Sequence, residues 1–286
     1  MDFVNVIRVT KEELLSEPRA KWQDIMYQSK VLVLKGLVSL TPAEHWEIHS
    51  IFGNPWTSQE YQDSFEVSRE VGPSKWITTY SNMNTKGRIG DKSLPWHHDI
   101  PWHRAKRYPI RSLYPTKLTN GASEVTTNFC DADVIWKRIP KSEWEKLAQV
   151  DVRLQYWYEA AKGNRDVVTK VIPLVERHPY TKRYSVLLNS FGFDRQDLKH
   201  ATTSTGAWII DCWSRSEHLG IDYLDKLHEI ACTQDNIYEH RWEYGDLVLF
   251  DNYSGVMHGR DRITTENTER EFWRVNVKHS WQTGQE

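Results

Sequence analysis

Two side chains near position 98 and one far along the chain set the strongest limit on what this sequence can fold into. In Trp96-His97-His98-Asp99, His97 and Asp99 are two residues apart, so on a β-strand both leave the same face. His258, from a later strand, adds a second imidazole. Two histidines and one carboxylate make the facial triad that leaves open positions on a non-haem Fe(II). A His-x-Asp triplet alone is a weak signal. It gains force from the flanks of the distant histidine: Gly245-Asp246-Leu247-Val248-Leu249-Phe250-Asp251-Asn252, then Met257-His258-Gly259-Arg260, then Arg270 and Arg274. An arginine about a dozen residues past a metal-binding histidine is what an anionic co-substrate would require. His98 should face away from the ligand set, and His103 reads as a surface histidine.

Short strands separated by turn signals fill most of the chain. Val31-Leu32-Val33-Leu34, ended by Gly36, reads as a buried strand. Strands are also expected at Ser112–Thr116, Val125–Cys130, Gln155–Tyr158, Val167–Leu174, Tyr184–Leu188, Asp246–Phe250 and Trp273–Val277, with a strand-like piece at Trp76–Tyr80. Ala207–Ile210 is ambiguous. Helices are expected over 10–30, where Thr10 and Glu13 have capping-box spacing, and from Thr41-Pro42 to Gly53. Two more are expected over 131–149, broken at Pro140, and over 214–232.

Periodicity fades over 54–95, and an irregular stretch ahead of a metal motif suits an active-site lid better than a linker. No repeat, low-complexity tract or composition break appears, so a single domain over 1–286 is expected. The fold class read from these signals is mainly β with flanking α, a jelly roll (double-stranded β-helix, cupin-like) with appended helices. The 14 tryptophans suit a β-rich core or an aromatic-lined pocket.

Charge and cysteine usage narrow the function classes. Lys+Arg of 37 against Asp+Glu of 39 gives a net charge of −2, which offers no basic field for nucleic acid. Cys130, Cys212 and Cys232 are odd in number and scattered, so neither a disulfide framework nor a C-x-x-C zinc site is encoded. There is no signal-peptide pattern and no apolar run long enough to span a membrane. A cytoplasmic protein without a membrane partner is expected.

Three blocks together resemble the taurine dioxygenase and 2,4-dichlorophenoxyacetate dioxygenase family (TauD/TfdA-like) of Fe(II)/2-oxoglutarate enzymes. They are Val31–Leu37 through Phe52-Gly53, the Trp96–Asp99 motif, and His240–Asn252 running on to His258, Arg270 and Arg274. Pro173-Leu174-Val175-Glu176-Arg177-His178-Pro179 is a lesser echo. The resemblance implies a hydroxylase that uses Fe(II), 2-oxoglutarate and O2, releases succinate and CO2, and oxidises a C–H bond of a small molecule. His97, Asp99 and His258 would hold iron, and Arg270 would clamp the distal carboxylate of 2-oxoglutarate. Thr127 would share that carboxylate, with Thr126 as the neighbouring alternative. Arg274 would reach substrate or the co-substrate's C1 end. Asp99 fills the position where related halogenases carry Gly or Ala, which favours hydroxylation.

Substrate contacts are expected from Asn82, Trp76 and Trp102, with Tyr80, Lys86 and Arg88 as further candidates. The cluster Arg104, Lys106, Arg107, with Arg274, inclines the reading toward an anionic substrate. A zinc hydrolase using the same triad and a jelly-roll protein that binds without turnover are the alternatives. A homo-oligomer is compatible with the surplus tryptophans.

Overall fold

The helix expected over 10–30 divides in two at Pro18. In a computed structural model of the protein, residues 1–57, 73–82, 93–99, 109–119, 121–159, 165–188, 207–215, 217–260 and 268–278 are described. A short strand that the sequence did not announce, β1 (Val4–Arg8), precedes α1 (Lys11–Ser16) and α2 (Arg19–Ser29). Proline pushes the residue before it out of helical angles, and Glu17 is extended at φ −85°, ψ 153°. The capping box is present: Glu13 N donates to Thr10 Oγ1 at 3.2 Å, and Thr10 N donates to Glu13 Oε2 at 2.8 Å. After β2 (Val31–Lys35), the same device at Thr41 and Glu44 opens α3 (Pro42–Phe52), with proline in its first turn. Gly53 ends α3 where the chain must pass β-structure closely. A Cβ there would lie 1.9 Å from the Lys278 carbonyl oxygen.

The chain continues through β3 (Asn54–Pro55), β4 (Thr78–Ser81), β5 (Leu94–His97), β6 (Ile110–Leu118) and β7 (Thr127–Asp131). Where one broken helix was expected over 131–149, two short ones form, α4 (Ile135–Arg138) and α5 (Trp144–Ala148), separated by Pro140 and a 3-10 turn. Next come β8 (Val150–Glu159), β9 (Arg165–Pro173), β10 (Val175–Arg177), β11 (Tyr184–Val186), β12 (Ala207–Ser214) and β13 (Glu217–His218). The ambiguous Ala207–Ile210 is therefore strand, the start of β12, paired antiparallel with β8. The following helix, α6 (Gly220–Ala231), starts later than 214 because the β12–β13 hairpin occupies those residues. Strands β14 (Ile237–His240), β15 (Leu247–Asp251), β16 (Val256–Arg260) and β17 (Arg270–Lys278) complete the order.

Three sheets matter for the site. The large one runs β1-β2-β15-β6-β17-β3, with β4 also paired to β17. A second runs β14-β7-β16-β5, and a third β13-β12-β8-β9. The apolar runs of β2 and β15 alternate sides. Leu32, Leu34, Leu247 and Leu249 pack outward against Leu14, Trp22, Met26, Ile48 and Phe52 of α1–α3. Val31, Val33, Val248 and Phe250 pack inward against Phe129 and Val256 of the second sheet. Burial on both faces explains why these strands read as continuous apolar stretches. Beyond the second sheet, Cys130 and Met257 join the core that α4–α6 and the third sheet share. Among the described residues, no helix is long and apolar enough to cross a membrane.

The outer core carries an acid-sensitive device. His45 and His49 of α3 are both buried. Burial, with His49 beside it, pushes His45 down to about 3, and burial pushes His49 down to about 4. His49 Nε2 meets Ser112 Oγ at 2.7 Å, whereas neither ring nitrogen of His45 has a hydrogen-bond partner among the described residues. The folded state thus refuses protons that the unfolded chain accepts below pH ~6.5. Stability is full above that pH and should fall by about 1.4 kcal/mol per pH unit for each histidine, down to the depressed values. Urea unfolding midpoints at pH 7 and pH 5 measure this. His45→Phe, set between Tyr114 and Trp273, should flatten the slope and raise the pH 5 midpoint.

Candidate active site

The inner faces of the large and second sheets build the site. Strand β16 pairs with both β5 and β7, so His258 stands directly opposite His97 on one side and Phe129 on the other. Cross-strand neighbours have Cβ atoms about 4.5–5.5 Å apart, and the two imidazole centroids are 4.1 Å apart. Asp99 completes the group: one ligand atom each from His97, Asp99 and His258 lies within 4.8 Å of the others. His98 is buried and is not among the three.

Each of the three side chains is aimed by neighbours. His97 Nδ1 contacts the Pro95 carbonyl at 2.7 Å, which assigns the proton to that nitrogen and leaves the Nε2 lone pair open. Asp99 is held through its backbone: its N–H donates to Asn252 Oδ1 at 3.1 Å, and Asn252 Nδ2 donates to its carbonyl at 2.8 Å. The carboxylate pairs with the fully buried guanidinium of Arg111 on β6. Burial works to raise the Asp99 pKa, but Arg111 and the two imidazoles outweigh it and hold the carboxyl well below the usual range. His258 is pushed down to about 3 by burial, reinforced by His97. At neutral pH His258 is thus a neutral imidazole and Asp99 a carboxylate, the protonation states a divalent cation needs.

The β15–β16 turn that presents His258 is tied from three directions. His178 Nε2 lies 2.9 Å from Asp251 Oδ2, and Tyr180 N and Thr181 N donate to His178 Nδ1 at 3.1 and 3.0 Å. Tyr253 N donates to Asp251 Oδ1 at 2.9 Å, and Gly255 N to Asp133 Oδ2 at 3.3 Å. Lys30 Nζ, 2.7 Å from both Asp131 and Asp133, balances the two carboxylates. The Pro173–Pro179 echo thus acts as an anchor for the turn.

On β17, Phe272 belongs to the inner core while Trp273, Val275 and Val277 face α3, so Arg270 and Arg274 also point inward. Arg270 is 3% exposed, lies 5.0 Å over Phe272, and has no partner for Nε or Nη1 among the described residues. Burial, and then the charge of Arg260, push its pKa down to about 9. A desolvated cation with open donors asks for an anion. Arg274, 6% exposed, stacks 4.1 Å from the Tyr80 ring, with Nε and Nη2 open among the described residues. Thr127 shares the face of Phe129, two residues on, which Thr126 does not. Thr127 Oγ1 accepts from the buried Trp242 Nε1 at 2.9 Å, leaving its own proton to donate, whereas Thr126 Oγ1 donates to Asn128 Oδ1 at 2.5 Å.

Two expected substrate contacts stand elsewhere. Trp76 lies in the outer layer, its indole 4.9 Å from Trp46 of α3 and its Nε1 donating to the Pro42 carbonyl at 3.3 Å. Asn82 spends its amide on β17: Nδ2 donates to the Thr268 carbonyl at 2.7 Å and Oδ1 accepts from Arg270 N at 2.8 Å. Asn82 therefore fixes the backbone that carries Arg270. Trp102, Lys86, Arg88, His103, Arg104, Lys106 and Arg107 lie outside the described residues, as does most of 54–95. Sequence reading missed Arg111, Asn252 and Trp242 as site-forming residues. The one available signal was an arginine flanking the strand expected at Ser112–Thr116, since a buried charge needs a counter-charge.

A family model described as taurine catabolism dioxygenase TauD, TfdA family, matches residues 5–276. The alpha-ketoglutarate-dependent 2,4-dichlorophenoxyacetate dioxygenase of Cupriavidus pinatubonensis is 24% identical over 204 residues, 64% of this chain and 64% of that one. The match thus spans somewhat under two thirds of that relative. A taurine dioxygenase from Burkholderia xenovorans superposes with a TM-score of 0.69 at 15% identity, over 97% of this chain and 86% of the other. AAD-2 in complex with Mn(II) and N-oxalylglycine gives 0.64 at 18%, over 98% and 94%. Such likenesses establish the jelly-roll fold expected from the strand pattern.

Proposed function

The chain belongs to the TauD/TfdA dioxygenase family, and from that premise we propose that it is an Fe(II)- and 2-oxoglutarate-dependent dioxygenase that hydroxylates a small anionic molecule. Arg270 is the observation that carries this reading. Its buried guanidinium lies on the same inner surface as the triad, with two donor nitrogens open among the described residues, and a dicarboxylate co-substrate answers that need. The N-oxalylglycine bound by AAD-2 is itself a dicarboxylate of that shape.

The donor set fits Fe(II). When bound, the metal would supply the centre at which O2 and 2-oxoglutarate react to give succinate, CO2 and the oxidising power for a C–H bond. His97, through Nε2, and His258 would hold it as neutral ligands, and Asp99 as an ionised one. Arg111 keeps Asp99 charged, and Asn252 keeps it in place. Arg270 would bind the distal carboxylate of 2-oxoglutarate, with Thr127 donating its hydroxyl proton to the same group while Trp242 holds the oxygen. Asn82 would serve as a positioning residue for Arg270. Arg274, flattened on Tyr80, would bind the substrate's carboxylate, sulfonate or phosphate.

The test is anaerobic titration of the Fe(II)-loaded protein with 2-oxoglutarate, watching for the weak visible band of an Fe(II)–keto acid chelate. A saturable band supports the proposal; its absence, together with tight zinc binding, would return the triad to hydrolysis or plain binding. Succinate release with a panel of carboxylates, sulfonates and phosphates then identifies the substrate class. Thr127→Val should weaken 2-oxoglutarate by about fivefold, the worth of one hydrogen bond of ~1 kcal/mol. Arg274→Leu should raise KM for the anionic substrate and leave the chelate band's midpoint unchanged.

A further inference from the structure

A second group of reactive side chains lies behind the metal centre. Cys130 and Cys232 are far apart in sequence and carry no motif, yet β7 and the C-terminal end of α6 bring their Sγ atoms to 3.6 Å. His228, one helical turn before Cys232, places Nδ1 3.3 Å from its Sγ. Asn236 locks the arrangement: its Nδ2 donates to the Ala231 and Asp131 carbonyls at 2.8 and 2.9 Å and approaches Cys130 Sγ at 3.6 Å.

The two thiols differ in access and in charge. Cys130 is fully buried and Cys232 partly exposed. A helix C-terminus by itself disfavours an anion. Here the hydrogen bond from Cys130, and then that with His228, lower the Cys232 pKa below an ordinary thiol's. The same contact, with burial, raises Cys130. This is the asymmetry of an attacking thiolate and a buried resolving thiol. Cys212 provides the contrast: it is fully buried and its Sγ contacts the Gly220 carbonyl at 3.0 Å.

We propose that Cys232 and Cys130 form a reactive dithiol, with His228 supporting the Cys232 thiolate, that closes to an intrachain disulfide on reaction with a small-molecule disulfide. The Cys232 thiolate attacks one sulfur of the reagent, forming a mixed disulfide and expelling one thiolate. The Cys130 thiol then loses its proton and attacks the Cys232 sulfur, expelling the second. The protein loses two electrons and two protons, and the reagent is reduced to two thiols. Closure needs the sulfurs to move from 3.6 Å to about 2.05 Å.

Full-length protein treated with 4,4′-dithiodipyridine reads the stoichiometry directly. The wild type should release two equivalents of thiopyridone in one fast phase and retain no adduct by mass. Cys130→Ser should release one and keep the pyridyl adduct on Cys232. Cys232→Ser should lose the fast phase, slowing by about tenfold or more, and His228→Gln should slow it without changing the stoichiometry. Cys212→Ser should change nothing. A wild type that releases one equivalent and keeps the adduct, or reacts only after denaturation, would overturn the proposal and leave both cysteines as core packing.

Discussion

Arg270→Met is expected to weaken 2-oxoglutarate binding by roughly 10- to 100-fold while making the ligand-free protein more stable. The first effect would be the loss of the charge-assisted contact proposed between Arg270 and the distal carboxylate, worth on the order of 1.5–3 kcal/mol. The second follows from the state of Arg270 without its anion. Its guanidinium is buried, its pKa is driven down by burial, and Nε and Nη1 have no partner among the described residues. Replacing an uncompensated buried charge by an apolar chain of similar length is neutral to stabilising, here by about 1 kcal/mol. The chelate-band midpoint measures one effect and thermal unfolding without 2-oxoglutarate the other. A variant that lost stability and affinity together would mean that Arg270 holds the fold and not the co-substrate.

Arg111→Met should do the reverse. Arg111 already has its anion, the Asp99 carboxylate. Removing one member of a largely buried pair leaves the other uncompensated, so the metal-free protein should lose about 3 kcal/mol. Metal affinity should also fall, by roughly 10- to 100-fold, as expected when a ligand loses the group that orients it. The pH dependence fixes the sign. In the wild type, Arg111 and the histidines hold the Asp99 carboxyl far below its usual range, so the carboxylate stays ionised as pH falls through 5. Without Arg111, burial would raise that pKa, and Mn(II) affinity should begin to fall at a higher pH than in the wild type. Competition titrations at pH 7.5 and 5.5 test this; an unchanged ratio between the two pH values would remove Arg111 from the metal centre.

Local signals in the sequence proved sound where the physics is local. Thr10 with Glu13 and Thr41 with Glu44 form capping boxes because each needs only its own turn of helix. Pro140 broke the 131–149 stretch as expected, whereas Pro18 broke a helix that hydrophobic spacing had run together. The misplaced expectations, Trp76 and Asn82, were assignments of direction. Both lie in the segment read as a lid, but Trp76 faces α3 and Asn82 faces the start of β17. No neighbouring residue encodes which side of a sheet an irregular stretch will present.

By itself, the sequence determined the chemical inventory: two histidines and an aspartate of ligand type, two inward-capable arginines on one late strand, apolar runs for a jelly roll, and caps for its helices. Those follow from residue type and from periods of two and about 3.6, which a linear chain displays. Tertiary structure alone decided which partners those groups meet. The β5–β16 register sets His97 against His258, β6 brings Arg111 to Asp99, and β7 with α6 joins Cys130 to Cys232. Such pairings depend on strand register and sheet stacking, and these are set by burial summed over the whole core rather than by any short segment.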